Sequence, residues 1–280
     1  MKAEAIRDYY IINGEIYSTM DVEIFKKIEK PPIYEVIRII EGVPLFLEDH
    51  LNRMFHSAQI IGYHIDRDEK QIREDIKTLI FKNKVDILNV KLLSTEIEGK
   101  GKAFLVYNIE SFYPPEEYYK KGIHTILFPY ERSNPNAKVL VTSFKDDVAK
   151  ELKEKSAFEA LLVNKSGYIP EGSRSNMFFV KGDKVYTAKG SEVLIGITRK
   201  HIFNVCEKLN IKIVEEAINV EDLRKIDGGF MSGTSVNVLP ISTIDDIKLD
   251  SMNNKIIREI NRAYLEEMKN YILSHKEDWR

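Results

Sequence analysis

The sequence predicts a mixed α/β (α+β) protein, of two domains or one large α/β domain. Its 280 residues exceed what one hydrophobic core usually serves. Strand-like and helix-like apolar spacings alternate from end to end. A stretch with paired prolines and charges, Ser111–Gly122, favours extended backbone and ends in glycine. The expected division is therefore 1–112, a linker at 113–122, and 123–280.

The first domain opens as a meander. Tyr9–Ile12 turns at Asn13-Gly14, the strongest short hairpin signal, into Glu15–Tyr17. Ile33–Ile40 turns at Glu41-Gly42 into a strand over Val43–Leu47. Leu51, Met54, Phe55 and Ala58 then follow helical spacing, with Glu48 or Asp49 as start signal and Gly62 as stop. Ile72, Ile76, Leu79 and Ile80 mark a second helix, and strands at Ile87–Ser94 and Ala103–Ile109 complete the unit.

Beyond the linker the pattern gives strands at His124–Phe128 and Val139–Thr142 and a helix through Val148 and Leu152. A hairpin over Phe178–Tyr186, a helix over Thr198–Leu209 and a long helix through Ile256, Ile260 and Tyr264 follow. Cys206 recurs with Ile202, Val205 and Leu209 at helical spacing, which reads as a core position.

The totals narrow the function. A 43% hydrophobic and 31% charged chain is an ordinary globule, and 42 basic against 44 acidic residues leave a net charge of -2. Nothing there attracts nucleic acid or an anionic membrane, so a small-molecule partner is expected. One cysteine, no apolar leader and no long apolar run point to the cytoplasm. The six histidines lack metal-ligand spacing, so no metal is expected.

Four segments carry chemistry. Lys138 lies in the apolar run Ala137–Val141, where a poorly solvated ammonium gives up its proton more readily and the amine becomes nucleophilic. Glu171, between Pro170 and Gly172, is delivered by a turn to the mouth of the apolar strand Met177–Val180, where a carboxylate needs a positive partner. Gly196-Ile197-Thr198 opens a helix whose first N–H groups suit a phosphate. Ser232-Gly233-Thr234-Ser235 offers hydroxyls and close backbone approach, and Arg53 sits beside the apolar stripe of its helix as a phosphate-seeking side chain would.

Taken singly, each has an ordinary reading: a strand-edge lysine, a hairpin carboxylate, a helix cap, a plain turn, a snorkelling arginine. Taken together they supply an amine, an acid for a ring nitrogen and phosphate donors. Those are the demands of pyridoxal 5'-phosphate.

In this order the chain resembles the class-IV aminotransferases, the fold-type IV pyridoxal-phosphate enzymes that include branched-chain and D-amino-acid aminotransferases and aminodeoxychorismate lyases. The matching pieces are Ile33–Arg38, His50–Ala58, Lys138, Glu159–Leu162, Glu171–Phe178, Gly196–Arg199 and Gly233–Ser235. The resemblance implies a small N-terminal α/β domain, a larger C-terminal domain with a barrel-like sheet carrying the Schiff-base lysine, and a homodimer. It implies that Lys138 holds the cofactor's aldehyde, Glu171 pairs with its ring nitrogen, and Arg53, Ile197, Thr198 and Thr234 hold its phosphate. Tyr34 matches the aromatic position beside cofactor and substrate, with Ser235 also toward the substrate.

Three segments depart from the family pattern. Glu29–Pro32 replaces a glycine pair before the aromatic position, and Val141-Thr142-Ser143-Phe144 replaces a run bearing asparagine and tyrosine. The strand Asn89–Thr95 carries neither the Arg-x-His pair of the D-amino-acid enzymes nor the arginine of the branched-chain enzymes; Lys91 stands there as a point charge able to attract a carboxylate. The expected activity is transfer of an amino group between an amino acid and a 2-oxo acid by a ping-pong route. A lyase releasing pyruvate from aminodeoxychorismate, and a non-catalytic binding module on the same scaffold, stay open at this stage.

Overall fold

A computed structural model describes residues 4–28, 33–131, 138 and 142–279. The chain divides into two compact units, Met1–Phe112 with Ala137–Leu140 and Met268–Arg280, and Tyr113–Asn136 with Val141–Glu267. The expected strand at Val139–Thr142 and the loop Glu29–Pro32 lie outside the described residues, except that Thr142 opens a helix.

In the first unit the Asn13-Gly14 turn joins β1 (Ala5–Ile12) to β2 (Glu15–Ser18), both turn residues having positive φ. β3 (Ile33–Ile40) turns through Glu41 and Gly42 into β4. β4 is only Val43–Pro44, shorter than the run to Leu47 that the sequence suggests. Proline brings no ladder donor, and Phe46 at φ 53° swings the chain into α1 (Leu47–Ile60), which has no side-chain cap. α2 (Glu69–Asn83) begins instead with a reciprocal capping box between Asp68 and Gln71. β5 (Ile87–Ile97) and β6 (Gly101–Ile109) complete a sheet ordered β2-β1-β6-β5-β3-β4.

Period-two alternation sorts its two faces. Ile33, Ile37, Val90, Leu92, Phe104 and Val106 pack in one core with Leu51 and Met54 of α1 and Ile76 of α2. Leu93, Leu105 and Tyr107 lie in another with Tyr10 and Phe25, and Tyr34 packs against it.

In the second unit the proline-bearing stretch folds into α3 (Glu116–Lys121), and β7 (Ile123–Pro129) and α4 (Thr142–Glu154) follow. Then come β8 (Glu159–Val163), β9 (Tyr168–Ile169), β10 (Asn176–Lys181), β11 (Lys184–Thr187) and α5 (Ile197–Lys208). β12 (Lys212–Glu215), β13 (Ile218–Asn219), β14 (Gly228–Gly233), β15 (Asn237–Ile244), β16 (Ile247–Lys248) and α6 (Lys255–His275) close the chain. The main sheet runs β12-β11-β10-β14-β15-β7-β8, with β16 on β15. Its strands β10 and β14 are buried almost throughout, which is why Met177–Val180 of β10 reads as a continuous apolar run. Cys206 is fully buried, and burial pushes its thiol up to about 12, so it is an inert core residue.

Removing the α2 cap tests the local account. Asp68→Ala will cost about 1 kcal/mol in urea unfolding, and a loss below a few tenths would show that the capping box is not holding the helix.

Candidate active site

The pleat of β3 sends consecutive residues to opposite faces, and both Tyr34 and Glu35 near its start matter. Glu35 points at α1, where its fully buried carboxylate accepts from Arg53 Nε (2.7 Å) and Nη2 (2.6 Å) and lies 2.8 Å from His50 Nδ1. His50, Arg53 and Ser57 are spaced three and four apart, so one helical face presents all three. Burial raises the Glu35 pKa, but attraction and hydrogen bonds from Arg53, with help from His50, outweigh it and hold the carboxyl at about 2.

His50 goes the other way. Burial lowers its pKa, against the pull of Glu35 and with repulsion from Arg53 and Lys138. A neutral imidazole facing an ionised carboxylate must carry its proton on Nδ1. Sequence spacing marks His50 as an ordinary surface or packing residue; it is packed, and it also helps fix the Arg53 partner.

Lys138 is gathered to the same place by its backbone. Its carbonyl accepts from Tyr34 N (3.3 Å), and its N–H donates to Ser57 Oγ (3.4 Å), which itself donates to the Arg53 carbonyl (2.8 Å). Its Nζ stands 4.7 Å from the centroid of the Tyr34 ring. On the opposite side from Glu35, Lys91 is also within 5.2 Å of that ring and within 5.9 Å of the Tyr107 ring. Lys91 is buried and ion-paired with Glu4, so the carboxylate that the sequence reading assigns to it is present from within the chain.

In the second unit three expected segments meet at one residue to which the sequence reading gives no role, Asn176. It opens β10 at 5% exposure, and a buried amide must find hydrogen-bond partners. Asn176 Nδ2 donates to the Leu194 carbonyl (2.9 Å), and its Oδ1 accepts from Gly196 N (3.1 Å), the residue that starts α5. Its backbone bridges Glu171 and pairs in register with Ser232 of β14. A side chain at position 196 would put Cβ 2.3 Å from Asn176 Oδ1, so only glycine permits this clamp.

Glu171 is buried, its backbone held by Leu162 N (2.9 Å) on one side and the Asn176 bridge on the other. The turn after it is tied down by Glu159, whose buried carboxylate accepts from Ser173 Oγ (2.5 Å), Ser175 Oγ (2.9 Å) and two backbone N–H groups. Gly172 faces Ser175 Oγ and Glu159, leaving no room for a Cβ.

Ile197 and Thr198 form the buried first turn of α5, where no side chain caps the helix. Arg199 is a clamp: buried, it donates to Thr187 Oγ1 (2.6 Å) and the Ala188 carbonyl (2.7 Å) and pairs with Glu215 (3.2 Å). Thr234 and Ser235 occupy the β14–β15 hairpin turn closed by Val236 N on the Gly233 carbonyl (3.1 Å). Ser232 Oγ just before them is buried with no hydrogen-bond partner among the described residues.

The donor set fits pyridoxal phosphate. The first unit carries an amine over an aromatic ring and a guanidinium; the second carries a buried carboxylate, an uncapped helix start and an orphaned hydroxyl. Among the described residues no group of three or more His, Cys, Asp or Glu side chains could hold a metal ion, and no helix is long and apolar enough to cross a membrane.

Residues 32–244 match the family model described as Amino-transferase class IV. The chain belongs to the class-IV aminotransferase family. It is 28% identical over 223 residues to the D-alanine aminotransferase of Bacillus licheniformis, covering 76% of this chain and 78% of that one. To the branched-chain-amino-acid aminotransferase of Pseudomonas aeruginosa it is 26% identical over 270 residues, covering 89% and 87%.

Its fold is that of the Escherichia coli branched-chain enzyme, with a TM-score of 0.85 at 22% identity over 94% of this chain and 95% of the other. The branched-chain enzyme of Thermoproteus uzoniensis, solved with norvaline, gives 0.82 at 20% identity, covering 95% of this chain and 97% of the other. The class-IV aminotransferase fold, and aminotransferase as the enzyme class, therefore stand as the sequence reading gives them.

Two measurements check this geometry. Asn176→Ala will cost about 1–3 kcal/mol of stability in urea unfolding, because it orphans the Gly196 N–H and the Leu194 carbonyl; a neutral result would show that the clamp is slack. Glu35, with its folded pKa depressed from 4.5 to about 2, contributes stability that is complete above its unfolded pKa and lost as pH falls through that window. The Glu35→Gln protein will therefore lose the part of the acid-unfolding slope between those two values, on the order of 3 kcal/mol in all; an unchanged slope would refute the assignment.

Proposed function

We propose that this aminotransferase moves an amino group between an amino acid and a 2-oxo acid on pyridoxal 5'-phosphate, with Lys138 as the catalytic amine. The observation that carries the reading is the Lys138 amine over the Tyr34 ring, held by backbone hydrogen bonds to β3 and α1. Such an amine would hold the cofactor's aldehyde, and as a free base it would move the proton at the substrate Cα. The cofactor, when bound, supplies the electron sink that weakens the Cα–H bond.

Glu171 is the residue proposed to keep the ring nitrogen protonated. Its burial supports that role, since a buried carboxylate favours a cationic partner. The phosphate would rest on the Arg53 guanidinium, the N–H groups of Ile197 and Thr198 with the Thr198 hydroxyl, and Thr234. Arg53 has a fork-shaped donor set, of which Glu35 takes Nε and Nη2 and thereby fixes the plane. Tyr34, Lys91 and Ser235 are assigned to the substrate, and the working assembly is a homodimer.

The donor is set by the substrate side, to which Lys91 on β5 is assigned. The curated relatives divide between D-alanine and branched-chain aminotransferases, so the panel to test spans both stereochemical series and both side-chain classes.

Borohydride reduction of the loaded protein, followed by peptide mass mapping, will place the cofactor on Lys138. Lys138→Ala will lower transamination by about 10²–10⁴-fold. Transfer at the wild-type rate by that variant, or label on another lysine, would overturn the reading.

A further inference from the structure

α1 carries His50, Arg53 and Ser57 on one face, yet it begins without local support. Phe46, at its N-cap position, lies in the left-handed region at φ 53° and ψ 41° and supplies no side-chain cap. The first N–H groups of a helix have no partner within it. Leu47 is fully buried, so its N–H needs an acceptor from the protein. That acceptor lies 224 residues further along the chain: Leu47 N donates to Tyr271 Oη (3.1 Å).

The Tyr271 hydroxyl is held from several sides. It donates to Glu48 Oε2 (2.6 Å), and Glu48 Oε1 accepts from Arg73 Nη2 of α2 (2.8 Å). Its ring stacks on His275, with 4.0 Å between centroids and 20° between planes, and meets the Phe46 ring edge-on at 4.9 Å. Burial, and then the bond to Glu48, raise the Tyr271 pKa, so the oxygen keeps its proton for Glu48 and accepts from Leu47. The stretch around it belongs to the first unit and is anchored there. Lys276 pairs with Glu41 in the β3–β4 turn, Lys77 of α2 donates to the Asp278 carbonyl (3.0 Å), and Trp279 packs against the core that α1 and α2 share with the sheet.

We infer that Tyr271 is a positioning residue for Arg53, acting through the first turn of α1. Phe46, whose ring Tyr271 meets, gives its carbonyl to His50 N (3.2 Å). His50 Nδ1 lies 2.8 Å from Glu35, and Glu35 accepts from Arg53 Nε and Nη2. A loosened first turn therefore reaches the guanidinium by two routes, along the helix and through His50 and Glu35. This role rests on the reading of Arg53 as a phosphate holder.

Pyridoxal and pyridoxal 5'-phosphate share ring and aldehyde and differ only in the phosphate. Absorbance titration of the cofactor-free full chain with each will therefore isolate the phosphate grip. Tyr271→Phe, which keeps the ring, will weaken binding of the phosphorylated form about fivefold and change binding of pyridoxal less than about twofold. Hydrogen exchange of the backbone at residues 47–50 will quicken about tenfold in the same variant. Lys276→Met, which loosens the stretch but leaves the hydroxyl, will change neither ligand by more than about twofold. Arg53→Gln will weaken the phosphorylated form by about tenfold or more.

Unchanged binding of the phosphorylated form by Tyr271→Phe, equal weakening of both ligands, or unchanged exchange at residues 47–50 overturns the positioning role. So does a loss in Lys276→Met as large as that in Tyr271→Phe. If Arg53→Gln binds the phosphorylated form as tightly as wild type, the phosphate assignment of Arg53 is refuted and the role of Tyr271 falls with it; a loss in Arg53→Gln without one in Tyr271→Phe refutes the role of Tyr271 alone.

Discussion

Polar side chains that a fold buries must find partners, and in this chain those partners are what shape the site. Glu35 is fully buried on the helix-facing side of β3, and it keeps its charge by drawing in Arg53 and His50. Asn176 is buried at the start of β10, and satisfying its amide pulls the Leu194–Gly196 loop into place and starts α5 there. Glu159 does the same for the turn after Glu171. In each case the group that positions the chemistry is itself remote from it, held by a strand and reaching to a loop or helix.

The consequence is a division of labour set by strand pleat. Glu35 and Tyr34 are neighbours in sequence and face apart, so one strand both orients a guanidinium on the helix side and offers a ring to two lysines on the other. Shifting β3 by one residue would turn Glu35 to the other face and bring Tyr34 or Val36 opposite Arg53. The eight-residue pairing of β3 with β5, Ile33–Ser94 through Ile40–Ile87, is what fixes that register.

How much of this is legible in the sequence follows from where each signal lives. Lys138, Glu171, Gly196–Thr198 and Ser232–Ser235 stand at turns and element ends, where local sequence shows that a polar residue interrupts an apolar run. The alternation of β3 and the stripes of α1 and α2 are equally plain, because periodicity is local. β4 ends sooner than its sequence suggests because the stop lies in the left-handed φ of Phe46, a residue type that does not advertise it. Glu35, Asn176 and Arg199 are visible only as members of a motif. Their roles depend on partners 18, 20 and 12 residues away, and no window on the sequence reports such a distance.

The same constraint acts on ion pairs elsewhere in the chain. Arg67 engages both carboxylate oxygens of the buried Asp75, and the buried Arg199 directs its donors to Thr187, Ala188 and Glu215. Lys91 pairs with Glu4 across the start of β1, and beside it the Tyr107 hydroxyl has no hydrogen-bond partner among the described residues. With no partner among the described residues, that buried hydroxyl costs stability that a phenylalanine at the same position would not.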